Sequence, residues 1–374
     1  MKAAVLQELN TIGVREVDRP RCGDDEAILK VHACAVCGSD LRIFHYGNDR
    51  VKPPAVIGHE IAGQVVEVGR DVTRVRQGDR VAVGADVPCG TCYWCTNGMG
   101  TNCRINYAIG YQFPGGFQEY MVLNRTILAY GPVTPIPSTL AYAEAAIAEP
   151  LACAINGLEL AQFALGKSIC IIGLGPIGCM MLELSQVFGA SKVFAAQRSP
   201  RRMEMARQFL PQARFIATEQ EDLVQTVLRE TDGEGVDLVI TTAGTVKAHE
   251  DAVQMVRHRG YVNLFGGLKN QPKLTIDSNL IHYKECYVMG SHGSLPRHHE
   301  AAVGLISRGA VRARDYLSAV YPLEGIREAL EFHESRKGLK VIVAPHGEAA
   351  ARARGGDAGG GSTRGGAAGG GDPR

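Results

Sequence analysis

Ser168-Ile169-Cys170-Ile171-Ile172-Gly173-Leu174-Gly175-Pro176-Ile177-Gly178 runs from apolar, β-branched residues into glycines spaced G-x-G-x-x-G, and Cys179-Met180-Met181-Leu182-Glu183-Leu184 follows. The pattern predicts a strand, a tight turn and a helix. The first glycine permits the turn, the second lets backbone approach a pyrophosphate, and the third lets helix pack on strand. Unpaired N–H groups and the positive dipole end at the helix start then face the phosphates. A glycine-rich strand end that binds nothing is common, so the motif alone decides little. Its flanks, and the parallel units that follow, favour dinucleotide binding. A membrane span over residues 168–188 fails, because Gly175-Pro176 breaks it and Glu183 lies inside.

Upstream, residues 1–36 alternate short apolar runs with turn signals, which predicts antiparallel β structure. Cys37-Gly38-Ser39-Asp40-Leu41-Arg42 opens a short helix; residues 61–69 and 78–83 return to strand, and 115–122 do so again. This turn-dense pattern suggests a distorted barrel. Downstream, strands at 192–196, 214–216, 236–242 and 261–265 alternate with helices at 200–209, 219–229 and 246–257. That alternation predicts a doubly wound parallel sheet, with residues 286–290 as its last strand. Residues 297–335 read as two helices around residues 316–321. Residues 339–344 read as a closing strand that docks back onto the N-terminal part.

The expected division is a β-rich unit over residues 1–150, a cofactor unit over 151–290, a return to the first unit over 291–346, and a tail over 347–374. The tail holds almost only Gly, Ala, Arg and Asp, so disorder is expected there. With 374 residues and a formal net charge of +1 the chain is long enough for two domains, and its balanced charge points to neither nucleic acid nor an anionic membrane. No signal peptide is expected at Met1-Lys2-Ala3-Ala4-Val5-Leu6. Eleven cysteines, four of them clustered, fit reduced thiols with metal duties in the cytoplasm better than a disulfide framework.

Cys89, Cys92, Cys95 and Cys103 are spaced C-x2-C-x2-C-x7-C. Four thiolates can close a tetrahedral zinc shell with no open position, which makes such a site structural. Disulfides or unrelated buried cysteines are the alternatives; two-residue spacings are awkward for the former and natural for chelation. A second set is dispersed: Cys37, His59 with Glu60, and Glu149 before Pro150. Together they would suit a catalytic zinc with room for substrate. Singly, each reads as a buried cysteine, a core histidine or a helix-end glutamate, and spacing does not join them.

The chain resembles the zinc-containing medium-chain alcohol dehydrogenases, nearest the sorbitol (polyol) and threonine dehydrogenase branch. The matching pieces are Cys37-Gly38-Ser39-Asp40, Gly58-His59-Glu60, Gly78-Asp79-Arg80-Val81, the four cysteines, Glu149-Pro150-Leu151-Ala152 and the glycine turn, in family order over residues 1–346. The resemblance implies an α/β fold: a GroES-like catalytic domain with a zinc lobe at residues 89–103, split in sequence around a Rossmann domain, with the active cleft between them. It implies two zincs per chain. Cys37 and His59 are then ligands, Glu60 and Glu149 share or exchange the remaining position, and Ser39 passes the substrate proton toward the cofactor ribose. Relatives often carry histidine five residues after the first cysteine. Arg42 stands there, and a guanidinium stays protonated, so it cannot shuttle protons as imidazole does. His45 is the nearby alternative, or a surface histidine.

By the family register Gln197 holds the acidic position that selects NAD, followed by Arg198, Ser199, Pro200, Arg201 and Arg202. With no carboxylate to repel a 2′-phosphate and guanidiniums to grip one, NADP(H) is expected over NAD(H). The cofactor face is expected to hold Gly173, Leu174, Gly175, Pro176, Ile177, Gly178, Gln197, Arg198, Ser199, Arg202, Thr242 and Phe265. A solvated basic helix start is the plainer reading of the arginines. The expected activity is hydride transfer to or from a secondary alcohol or ketone of a polyol, sugar or aminocyclitol, mainly as a reductase, by a homodimer or homotetramer. An NAD-dependent threonine or amino-alcohol dehydrogenase is the alternative within the class, and a non-catalytic zinc-bearing nucleotide sensor the alternative outside it.

Overall fold

The computed structural model describes residues 1–268 and 272–352. The glycine turn closes a strand, Ser168–Ile172, that sits inside a six-stranded parallel sheet. Arg214–Ala217 and Lys192–Gln197 lie to one side of it, and Val236–Thr241, Val256–Leu264 and Tyr287–Gly290 to the other. Strand order therefore reverses between Ser168–Ile172 and Val236–Thr241, and the crevice of a doubly wound sheet opens at the carboxyl ends of those two strands. Cys170 and Ile171 are fully buried because helices cover both sheet faces.

A second, largely antiparallel sheet holds Leu317–Pro322, Lys340–Ala344, Ala27–Ala35, Glu60–Val68, Arg80–Val83 and Val133–Pro135, and Tyr120–Leu123 also pairs with Ala27–Ala35. Register shifts between Ile28 and Leu29 and between Val31 and Ala33 bend the long strand, as bulges do. The fold class is thus the expected one, β-rich unit plus doubly wound parallel sheet. The closing strand pairs with Ala27–Ala35 through Ile342 opposite Ala35 and Val343 opposite Cys34.

One helix, Ala148–Leu160, is common ground. Its Leu151, Ile155 and Leu158 belong to a core cluster that also holds Ala33, Ala35 and Ala62 from the antiparallel sheet and Ile171 from the parallel one. Alanines on the sheet side let that helix approach closely. Glu183, buried in the helix after the glycine turn, accepts from Tyr316 Oη at 2.7 Å and Arg312 Nε at 3.1 Å, which ties the returning segment to the parallel sheet.

Two expectations need correction. The helix expected from residue 219 starts at Leu223, because the Asp222 side chain caps it by accepting from Gln225 N at 2.9 Å. The stretch expected to be disordered from residue 347 begins with a helical turn, Glu348–Arg352, whose Ala351 is fully buried against Tyr142–Ala145 and Ala27–Ala35. Alanine is small enough to dock where a run of larger apolar residues is absent. The rest of that stretch, 353–374, lies outside the described residues. No described helix is long and apolar enough to cross a membrane.

Truncation after Arg352 should leave the melting temperature unchanged. Truncation after Gly347 should lower it by roughly 1–3 °C, since burying one alanine contributes about 1 kcal/mol. Equal melting curves for the two truncations would show that the turn contributes nothing.

Candidate active site and metal centres

Cys37 precedes the helix Gly38–Tyr46 in extended backbone, at its N-cap position. Asp40, three residues on and fully buried, uses its two carboxylate oxygens for two partners. Oδ2 accepts from Cys37 N at 2.8 Å, while Oδ1 stands 3.3 Å from His59 Nδ1, close enough for an ion contact though not aligned as a hydrogen bond. With Nδ1 facing a carboxylate, Nε2 is the nitrogen left for a metal, which is how ligand histidines are usually oriented. Ser39 Oγ lies 3.3 Å from that Nε2. Burial works against charge on His59, but Asp40 and the Cys37 sulfur outweigh it and hold the imidazole well above the usual histidine range.

Glu60 begins the strand Glu60–Val68 with no exposed surface. Ligand atoms of Cys37, His59 and Glu60 lie within 4.8 Å of one another, so a thiolate, an imidazole and a carboxylate do converge from sequence positions 22 and 23 residues apart. That donor set suits zinc. Glu149, in the first turn of Ala148–Leu160, is buried beside them but outside that 4.8 Å group, and its Oε1 accepts from Cys153 Sγ at 3.5 Å. Burial pushes both glutamates up to about 7; Glu149 adds to the rise at Glu60, and the Cys37 sulfur to the rise at Glu149.

Three partners escaped the sequence reading. Lys340, itself buried, gives its ammonium to both oxygens of Glu60, at 2.5 Å to Oε1, and to Val36 O at 3.3 Å. A strand lysine 280 residues away carries no local signal. Asp40 stood in a quoted motif without a role. Tyr111 stands near Ser39, and its ring centre is 6.0 Å from that of His59. Its turn-rich surroundings gave no periodicity to find it by.

The cysteine lobe is compact. Sulfurs of Cys89, Cys92, Cys95 and Cys103 lie within 4.8 Å of one another, with Cys92 and Cys95 at 3.5 Å. Backbone N–H and the hydroxyl of Thr91, with the N–H of Cys92, pull Cys89 down to about 6, whereas burial and neighbouring sulfurs push Cys95 up to about 12. Four sulfurs this close cannot all ionise without a cation, and a tetrahedral zinc would supply one.

At the crevice, Gly173 has φ 101°, and a Cβ on it would meet Ala243 N at 2.8 Å; a Cβ on Gly178 would meet Gly173 O at 2.0 Å. Gly175 faces open space, with only Arg202 Nη1 at 3.5 Å from a Cβ there. Those are the turn, packing and access requirements of a dinucleotide loop. Leu174, Pro176 and Ile177 complete the turn and the helix start Pro176–Val187. Gln197 Oε1 accepts from Leu174 N at 2.9 Å, Thr242 Oγ1 donates to Gly173 O at 2.6 Å, and the Phe265 ring packs beside Gly157. Ser199 caps the helix Pro200–Arg207, accepting from Arg202 N at 3.5 Å. Arg198 reaches the rim instead, 76% exposed and 4.0 Å from Glu219.

His45 is not brought to the site. Its Nδ1 meets Asn10 Oδ1 at 2.6 Å and its Nε2 stands 3.3 Å from the Glu334 carboxylate, so it links a hairpin to a helix. Arg42 extends across the cleft until Nη1 is 4.0 Å from where Gly267 would carry a Cβ, with no ion pair among the described residues.

Lys340→Met should destabilise the fold by about 3–5 kcal/mol in urea unfolding, because it strands the Glu60 charge. The double variant Glu60→Gln, Lys340→Met should recover most of that loss. Equal losses in the two would mean that the pair acts through packing alone.

Residues 23–133 match the family model for the alcohol dehydrogenase GroES-like domain, and residues 176–308 match that for zinc-binding dehydrogenase. D-arabinitol dehydrogenase 1 of Uromyces fabae is 30% identical over 92% of this chain and 97% of its own length. L-threonine 3-dehydrogenase of Pyrococcus horikoshii is 36% identical over 74% and 78%. A crystal structure from Sinorhizobium meliloti 1021, assigned as a zinc-binding dehydrogenase and bound to NADP, superposes with a TM-score of 0.84 at 30% identity, covering 92% of this chain and 99% of that one. Sequence, fold and site chemistry agree: the chain belongs to the zinc-dependent medium-chain alcohol dehydrogenases, oxidoreductases that use NAD(P).

Proposed function

We propose that this dehydrogenase moves a hydride between NADP(H) and a secondary alcohol or ketone of a polyol, sugar or aminocyclitol, working mainly as a ketone reductase. The observation that carries the reading is the convergence of Cys37, His59 and Glu60 within 4.8 Å, beside the Ser39 hydroxyl. When bound, zinc supplies Lewis-acid polarisation and nicotinamide the hydride. Cys37 and His59 hold the metal, and Asp40 keeps both aimed. Glu60 or Glu149 would fill the remaining position, and the grip of Lys340 on Glu60 would compete with the metal for that carboxylate. Ser39 carries the substrate proton, and Tyr111 orients the serine hydroxyl. Arg42 stays charged at the position where relatives shuttle protons, so the outer step does not pass through it.

The NADP(H) preference is supported by Gln197. Its carbonyl oxygen accepts from Leu174 N–H, while its amide N–H groups donate to none of the described residues and can meet a ligand. Donors suit a phosphate; a ribose hydroxyl held by an acidic residue needs an acceptor. The NADP in the Sinorhizobium structure points the same way. A second reading, an NAD-dependent threonine or amino-alcohol dehydrogenase, is favoured by the 36% identity to the Pyrococcus enzyme. A non-catalytic nucleotide sensor would be the outcome if no alcohol or ketone is turned over. All eleven cysteines are unpaired, in keeping with the cytoplasm. The open edge strand Tyr287–Gly290, with Tyr287 48% and Tyr283 72% exposed, supports a homodimer or homotetramer.

Metal analysis of purified protein should find two zincs per chain. Cys37→Ser should abolish turnover and retain about one zinc in a folded protein, whereas Cys92→Ser should lose solubility or melting temperature. Protein purified without chelators and free of zinc would sink both claims. Against a panel of polyols, amino alcohols and ketones, kcat/KM should favour NADP(H) by one to two orders of magnitude, since a charge-assisted phosphate contact is worth about 1.5–3 kcal/mol. Gln197→Asp should reverse the preference; a wild-type enzyme that works better with NAD(H) overturns this part.

A further inference from the structure

Three arginines gather at the cofactor end of the crevice without a carboxylate. Among the described residues, none of Arg201, Arg202 and Arg336 forms an ion pair. Arg202 is half-buried, its Nη1 roofs the open side of Gly175 at 3.5 Å from a would-be Cβ, and its Nε is buried with no acceptor. Arg201 Nη2 donates to Lys337 O at 3.0 Å, which tethers the start of the helix Pro200–Arg207 to the loop that follows Ile326–Glu334. Arg336 is the residue before that tether. Burial pushes Arg202 below the usual arginine range, and the charges of Arg336 and Arg201 push it the same way.

Arg336 is also held at φ 58°, a left-handed conformation that glycine or asparagine adopts with less strain. Among the described residues its guanidinium has no hydrogen-bond partner that would offset that strain. Like charges set beside the arginine that roofs a glycine turn, itself with a buried donor unspent, are arranged for an anion.

We infer that Arg336 joins Arg202 in gripping the 2′-phosphate of NADP(H), so that the loop before the closing strand Lys340–Ala344 of the antiparallel sheet contributes to cofactor choice made on the parallel one. The inference rests on the NADP(H) reading above. Arg336 is a specificity residue here, distinct from the donors on Gln197, and it brings a contact from outside the parallel sheet to a ligand seated on it.

The shared chemistry is a cofactor phosphate, and two nucleotides separate its sources. Dissociation constants of adenosine 2′,5′-bisphosphate and of ADP are measured by calorimetry on the zinc-loaded full chain. Arg336→Ala should weaken the bisphosphate about tenfold or more and leave ADP within about twofold. Arg336→Lys should restore part of the loss, and the melting temperature should hold, since the side chain bonds to none of the described residues. Equal weakening of both nucleotides would assign Arg336 to the 5′-phosphate that the two share or to general attraction and overturn the proposal. No change in either would overturn it too. A wild-type chain that binds ADP as tightly as the bisphosphate would instead sink the NADP(H) reading on which it stands.

Discussion

Glu60 must live without water, and the metal-side half of the cleft is arranged around that demand. A fully buried carboxylate is costly unless a cation and hydrogen bonds compensate it, and removing a partner typically costs several kcal/mol. Lys340 is the protein's own compensation, and a metal ion held with Cys37 and His59 would be the other. Two cations contending for one carboxylate would make ligand exchange at it cheap. Asp40 works against drift: it holds the backbone of Cys37 and the far nitrogen of His59 from one buried side chain.

The cleft itself follows from how two sheets share one helix. Ala148–Leu160 packs small alanines of the antiparallel sheet on one flank and the parallel sheet's apolar strands on the other. Its first turn brings Glu149 to the metal side, while the reversal of strand order places the glycine turn across the crevice. Arg42, reaching toward Gly267 from the helix after Cys37, spans the gap between the two.

Much of this was legible in order of locality. The glycine turn and the four-cysteine lobe are readable because each motif spans few residues and its spacing is its geometry. The dispersed ligands were joined only by resemblance, since no periodicity relates Cys37, His59 and Glu149. Lys340 was invisible, because lysines are nearly always solvated and its partner is far off in sequence. Gln197 was read as a missing charge; its use as an acceptor for the loop depends on a 2.9 Å contact that no composition reveals. Arg198 and Ser199 look alike as cofactor candidates in sequence, yet one lies at the rim and the other caps a helix.

The closing strand has a consequence for how the chain is made. On the ribosome all six strands of the parallel sheet have been synthesised once Gly290 is added, and that unit can pack largely by itself. The antiparallel sheet cannot: Ala27–Ala35 waits for Lys340–Ala344, and Glu60 waits with it for an ammonium group. Until residue 340 is made, Glu60 lacks its ammonium partner and Ala27–Ala35 lacks the strand that pairs with it. Long-range closure of this kind is slow, so the enzyme's last strand sets the moment at which it becomes competent.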